Sequence, residues 1–189
     1  MSSVMLNYAD ANRFYHNYRH IGSMISTFHG LFAGELDVFE IELLTIAIQY
    51  HDAIYIPGSK NNEADSALAM AEELSESILA RDLMEIGRLI LLTKYHVTSP
   101  ADKLGSIMID LDLHELGTSM YAANSEAVKK EFLEGPYPNV RPEQFFQGRI
   151  NFLQGFLARP TIFYTEIGKS LWEEEARSNM QHELDSLTG

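Results

Sequence analysis

Ile41, Leu44, Ile48 and His51 recur at steps of three, four and three residues, which places them on one face of an α-helix. The spacing predicts a helix from residue 39 whose buried stripe ends on an imidazole, with Asp52 beside it, and which stops near Tyr55, before Pro57-Gly58-Ser59. The same period runs through most of the chain. Further helices are expected at residues 8–32, from Asn61 or Asn62 as cap through Ala71, at 83–96 with two adjoining apolar stripes, and at 103–117 with Gly117 as C-cap. Helical patterns resume at 145–157 and 167–187. Residues 135–142 contain Pro136, Pro138 and Pro142 and read as a structured loop. Nothing reads as a strand, a repeat or a low-complexity tract. The fold class is all-α, and the 189 residues are expected to form a single domain: residues 1–117 as its core and 118–189 as C-terminal helices packed on it.

Composition narrows the function. A formal net charge of -13 disfavours nucleic-acid polymers and anionic membranes, since both reward a basic surface. A small anionic substrate is still compatible, because a metal ion and a few cations can reverse the potential inside a cleft. The chain has no cysteine, which excludes disulfides, thiolate metal sites and cysteine nucleophiles and fits a cytoplasmic location. Met1 to Leu6 has neither a basic region nor a long apolar core and does not read as a signal peptide. No apolar run approaches the roughly 20 residues of a membrane span.

Several polar residues stand where chemistry is possible. His51 and Asp52 put nitrogen and oxygen donors side by side at a buried helix end. A lone buried carboxylate is costly, and a divalent cation is a partner both side chains can share. His16 and His20, four apart, would share a helix face; they either approach that metal and its substrate or belong to a polar face with Arg13, Asn17 and Arg19. Asp110 and Asp112 are about 200° apart on a helix, so both cannot easily point at one ion. Asp112 lies nearer the inward face of Ile109, Leu113 and Leu116 and is the favoured ligand, with Asp110 the alternative. Lys94 and His96 suit a phosphate, or else the C-terminal end of a helix dipole. Glu63 is either a general base or a favourable charge at a helix start.

The segments Tyr15-His16-Asn17-Tyr18-Arg19-His20-Ile21, Tyr50-His51-Asp52-Ala53-Ile54-Tyr55, Asn62-Glu63 with Ser66-Ala67, Thr93-Lys94-Tyr95-His96, Asp110-Leu111-Asp112-Leu113 through Leu116-Gly117, and Glu175-Ala176-Arg177-Ser178-Asn179 occur in this order. Together they resemble the HD-domain superfamily of metal-dependent phosphohydrolases, in its small bacterial predicted-phosphohydrolase branch. The resemblance covers most of the chain. It implies an all-helical HD bundle with one divalent metal between helices, held by His20, His51, Asp52 and Asp112, and hydrolysis of phosphate esters, chiefly of nucleotides. Some HD nucleotidases place a glutamate three residues after the Asp of the pair, where this chain has Tyr55. The consecutive histidines of two-metal HD enzymes are also missing, which favours a mononuclear site.

The expectation is a cytoplasmic phosphohydrolase of a small phosphorylated metabolite, a nucleotide for preference. Its metal would be Mn, Fe, Co, Ni, Zn or Mg. Asp52 and Glu63 would serve catalysis, while His16, Lys94, His96 and Arg177 would bind substrate. The alternatives are a non-catalytic metal- and nucleotide-binding module acting as sensor or protein partner, and a structural helical protein with a buried His/Asp network.

Overall fold

The computed structural model describes residues 5–135 and 141–189. These form eight α-helices and three short 3-10 turns, with no strand among the described residues. The helices are α1 (Tyr18–Leu31), α2 (Val38–Tyr50), α3 (Asn62–Leu74), α4 (Ala80–Leu92), α5 (Lys103–Leu113), α6 (Tyr121–Glu134), α7 (Pro142–Leu157) and α8 (Glu166–Thr188). The expected all-α class holds.

Local chemistry fixes where the helices begin. Asp37 and Glu40 close a reciprocal capping box on α2. Asn17, Asp102 and Thr165 accept from backbone N–H groups in the first turns of α1, α5 and α8. Asn61 occupies the cap position of α3 without a side-chain capping bond. Asn62 instead exchanges two hydrogen bonds with the backbone of Ile56, holding the loop after α2 against α3.

α2 is the hub: it packs on α1, α4 and α5, and α3 covers α4. α6 packs on α7, and α8 lies along α7 and the 3-10 turn His114–Gly117. One continuous apolar core runs from Tyr8 through Leu44, Ile48, Ile90 and Met108 to Trp172 and Met180. No helix among the described residues is long and apolar enough to cross a membrane.

Of the boundaries that differ from the sequence expectation, four bear on function. α1 starts at Tyr18, so His16 precedes it and does not share a helix face with His20; residues 10–17 form turns. α2 ends at Tyr50, with His51 as its C-cap. α4 ends at Leu92, and His96 lies beyond it with φ 51°, a left-handed conformation that costs a non-glycine residue energy. α5 ends at Leu113, and Gly117 serves close packing: a Cβ there would lie 2.5 Å from the Trp172 carbonyl oxygen. The proline-rich loop expectation falls largely on residues 136–140, outside the described residues.

Candidate metal centre

His51 sits where the buried stripe of α2 placed it, 1% exposed. Its Nδ1–H donates to the Ile48 carbonyl at 2.9 Å, so neutral His51 presents the lone pair of Nε2 to the interior. That Nε2 is buried and makes no hydrogen bond. Asp52 Oδ2 lies 2.9 Å away and Asp112 Oδ1 3.4 Å away, neither in hydrogen-bonding alignment. His20, on the inner face of α1 and fully buried, brings its Nε2 to 3.3 Å from Asp112 Oδ1 and 4.0 Å from Asp52 Oδ2.

Donor atoms of His20, His51 and Asp52 lie within 4.8 Å of one another, so this group can hold a metal ion. Two imidazoles and a carboxylate form a donor set for a divalent transition metal. The fit shows in the Nε2 of His51, a buried nitrogen that makes no well-aligned hydrogen bond and has only the Asp52 and Asp112 carboxylates beside it. His20 adds a supporting carboxylate: Glu115 Oε2 faces its Nδ1 at 3.6 Å, as in the carboxylate–histidine pairs that orient metal ligands.

The electrostatics of the bare cluster follow from its packing. Burial opposes charge on both histidines, but the facing carboxylates outweigh it. Asp112 and Glu115 raise the pKa of His20, and Asp52 and Asp112 raise that of His51 well above its usual value. Burial likewise works against ionising Asp52 and Asp112, yet His51 beside them holds both below the ordinary carboxylate range. Glu115 is pulled down to about 2 against its own burial, chiefly by His20.

The backbone of the His-Asp turn is pinned from the N-terminal segment. Arg13 donates to the carbonyls of Asp52 and Ala53 at 2.7 and 3.0 Å, and Asp52 N–H donates to the Tyr8 hydroxyl at 3.2 Å. Asp52 is thereby set by contacts far away in sequence.

The two aspartates of α5 separate cleanly. Asp112 faces the histidines and also accepts from His96 Nε2 at 2.8 Å. Asp110 points to the start of α8, where it accepts from Tyr164 N, Thr165 N and Thr165 Oγ1 at 2.6–2.8 Å. It is therefore a helix-docking group. Its burial pushes the carboxyl up to about 6 despite those three donors. Gly168 makes room for it, since a Cβ there would collide with the Asp110 carboxylate.

Other expected site residues divide. His16 and His96 line a cavity of about 610 Å³ that opens beside Asp112. Lys94 donates to the Lys60 carbonyl and is not a lining residue. Glu63 lies in the first turn of α3 and makes no hydrogen bond or ion pair with the cluster among the described residues. Arg177 is bound to Glu173 and to the carbonyls of Leu157, Arg159 and Pro160, bracing the turn between α7 and α8 rather than facing the cluster. Its guanidinium is spent on carbonyls that need donors.

Two site residues escaped the sequence reading: Glu115 and Glu131. Glu131, on α6 and 1% exposed, accepts from Tyr15 N, His16 N and His16 Nδ1 at 2.7, 2.8 and 2.5 Å. The His16 ring stacks on Tyr55 with centroids 3.8 Å apart. The only sequence hint of Glu131 is an acidic residue amid the polar pattern of α6, which looks like any solvated face.

No family model, curated protein or solved structure matches this chain.

Proposed function

We propose that this protein is a metal-dependent phosphohydrolase that cleaves a phosphate ester of a small metabolite, with nucleotides the favoured class. The observation that carries the reading is the buried His51 Nε2, held by the Ile48 carbonyl in the tautomer a metal needs and left without a hydrogen bond among His20, Asp52 and Asp112. His20, His51, Asp52 and Asp112 would hold the ion. A divalent cation there supplies phosphate polarisation and a bound water of lowered pKa. The ordered series of HD-like segments adds the reaction class, and the acidic composition disfavours an anionic polymer while leaving a small anionic substrate compatible.

The chain's own side chains divide the remaining work. His96 bonds Asp112 through Nε2 and keeps that carboxylate turned toward the histidines. Its left-handed backbone is the kind of local strain found where function fixes a side chain. His16, rather than Glu63, is the proton-handling group favoured by geometry. Its Nδ1 is committed to the buried Glu131 carboxylate, which fixes the ring and leaves Nε2 to act beside the cavity. That Glu63 makes no hydrogen bond or ion pair with this set among the described residues favours the alternative, a metal- and nucleotide-binding module without turnover.

The test is metal content of the purified protein, with phosphate release from 4-nitrophenyl phosphate and a nucleotide panel in added Mn. About one metal per chain and turnover abolished in Asp52→Ala are expected. Wild-type activity in metal-stripped buffer overturns the mechanism; stoichiometric metal with no turnover favours the binding module.

A further inference from the structure

We propose, on the phosphohydrolase reading above, that the cavity between α6 and α7 takes the non-reacting half of a phosphomonoester, and that this half is uncharged and aromatic. The cavity begins at the candidate metal centre, where His16, His96 and Asp112 line it. α6 contributes Tyr121, Ser125, Val128 and Phe132 to its wall, and α7 contributes Phe145, Gly148, Arg149 and Phe152. The α6 set follows steps of four, three and four, and in the α7 set Gly148 and Arg149 both stand three or four residues from Phe145 and Phe152, so each set is one face of one helix. A volume of about 610 Å³ falls within the range of small-molecule sites.

Charge decides what can enter. Arg149 is the one Lys or Arg among the described lining residues. It is already paired, with Nε and Nη2 donating to Glu183 at 2.7 and 2.9 Å. Two carboxylates, Asp112 and Glu115, line the same space. One phosphate can be neutralised at the candidate metal centre, but a second or third would enter a cavity with no unpaired Lys or Arg among its described lining residues to receive it. The aromatic walls, by contrast, offer ring faces and edges to a flat apolar group. A phosphomonoester of an aromatic alcohol, or a nucleoside monophosphate read through its base, meets both conditions; di- and triphosphates do not.

The experiment uses phosphonates, whose C–P bond the reaction cannot cleave, so binding is read independently of turnover. Calorimetry on the Mn-loaded protein compares 2-naphthylmethylphosphonate with methylphosphonate and, in excess Mn, the 5′-methylenephosphonate analogue of AMP with the methylene-bridged analogue of ADP. At least tenfold tighter binding of the naphthyl compound is expected, and weaker binding of the ADP analogue than of the AMP analogue. Gly148→Leu then fills the cavity from α7: a Cβ at Gly148 meets nothing within 4 Å, and leucine favours the helix. In that variant the naphthyl preference is expected to fall to threefold or less. Should the variant fail to fold, Val128→Phe fills the same space from α6. Equal binding of the naphthyl and methyl phosphonates, the ADP analogue binding tighter than the AMP analogue, or a preference that survives the filled cavity overturns the inference. Separately, 2-naphthyl phosphate is assayed for phosphate release. If none is released while the phosphonate preference holds, the hydrolase reading fails and the pocket assignment stands.

Discussion

Glu131 reaches across 115 residues of chain to hold His16: its Oε2 lies 2.5 Å from His16 Nδ1, and its Oε1 accepts the His16 backbone N–H. One buried carboxylate thus fixes both the ring and the backbone of the segment leading into α1, and ties the cavity-forming α6 to the candidate metal centre.

Glu131→Ala leaves the N–H groups of Tyr15 and His16 without their acceptor. A loss of about 1–3 kcal/mol is expected from those unsatisfied donors, read as a lower urea midpoint. Glu131→Gln keeps an acceptor for the backbone and should recover part of the stability. It changes the partner of His16 Nδ1, so its pH–rate profile should differ from wild type.

Asp112→Asn and Asp110→Asn separate two carboxylates that stand two residues apart. The first should lower metal stoichiometry well below one per chain. The second should leave stoichiometry intact but weaken the docking of α8, costing about 1–2 kcal/mol as its acceptors of the Thr165 and Tyr164 donors are altered. Metal analysis and denaturation on the two proteins provide the check.

Metal affinity should rise with pH. His20 and His51 have pKa values raised above 6.5, so near that pH the metal-free cluster carries protons that a metal must displace. Calorimetry in two buffers of different ionisation enthalpy should register proton release, decreasing as pH rises toward 9.

The metal-free protein should show the opposite trend in stability. Above pH 6.5 the folded histidines hold protons that the unfolded chain has lost, so stability falls as pH rises through their folded pKa values. Asp52 and Asp112 contribute at the acid end: their stabilisation is present above about pH 4 and is lost only as pH falls through their depressed values. Thermal melts from pH 4 to 9 with and without Mn should therefore diverge most at the alkaline end. At a metal concentration of 100 times Kd the gain is about 2.7 kcal/mol.

Gly117→Ala places a methyl group 2.5 Å from the Trp172 carbonyl oxygen, against backbone that cannot swing aside. A loss of about 1–3 kcal/mol is expected, with α8 loosened from the 3-10 turn and increased hydrogen exchange along α8.

The apolar period by itself determined the helical class, the burial of His51 at the end of α2, and the adjacency of Asp52, because side-chain direction in a helix follows from spacing alone. The rotation between Asp110 and Asp112 showed that they diverge, and the inward face of α5 favoured Asp112. What spacing could not supply was the conformation of short segments that leave a helix. His16 lies before the start of α1 and His96 in a left-handed turn, where position along the chain no longer predicts direction. The partners of polar side chains were equally out of reach. Glu131 and Glu115 are indistinguishable in sequence from solvated acids, whereas Arg177 carries the charge of a substrate ligand and spends it on backbone carbonyls. Tertiary packing decided these, because a buried charge or hydrogen-bonding group takes whichever partner the folded chain brings within about 3 Å, and that proximity is set by helices far apart in sequence.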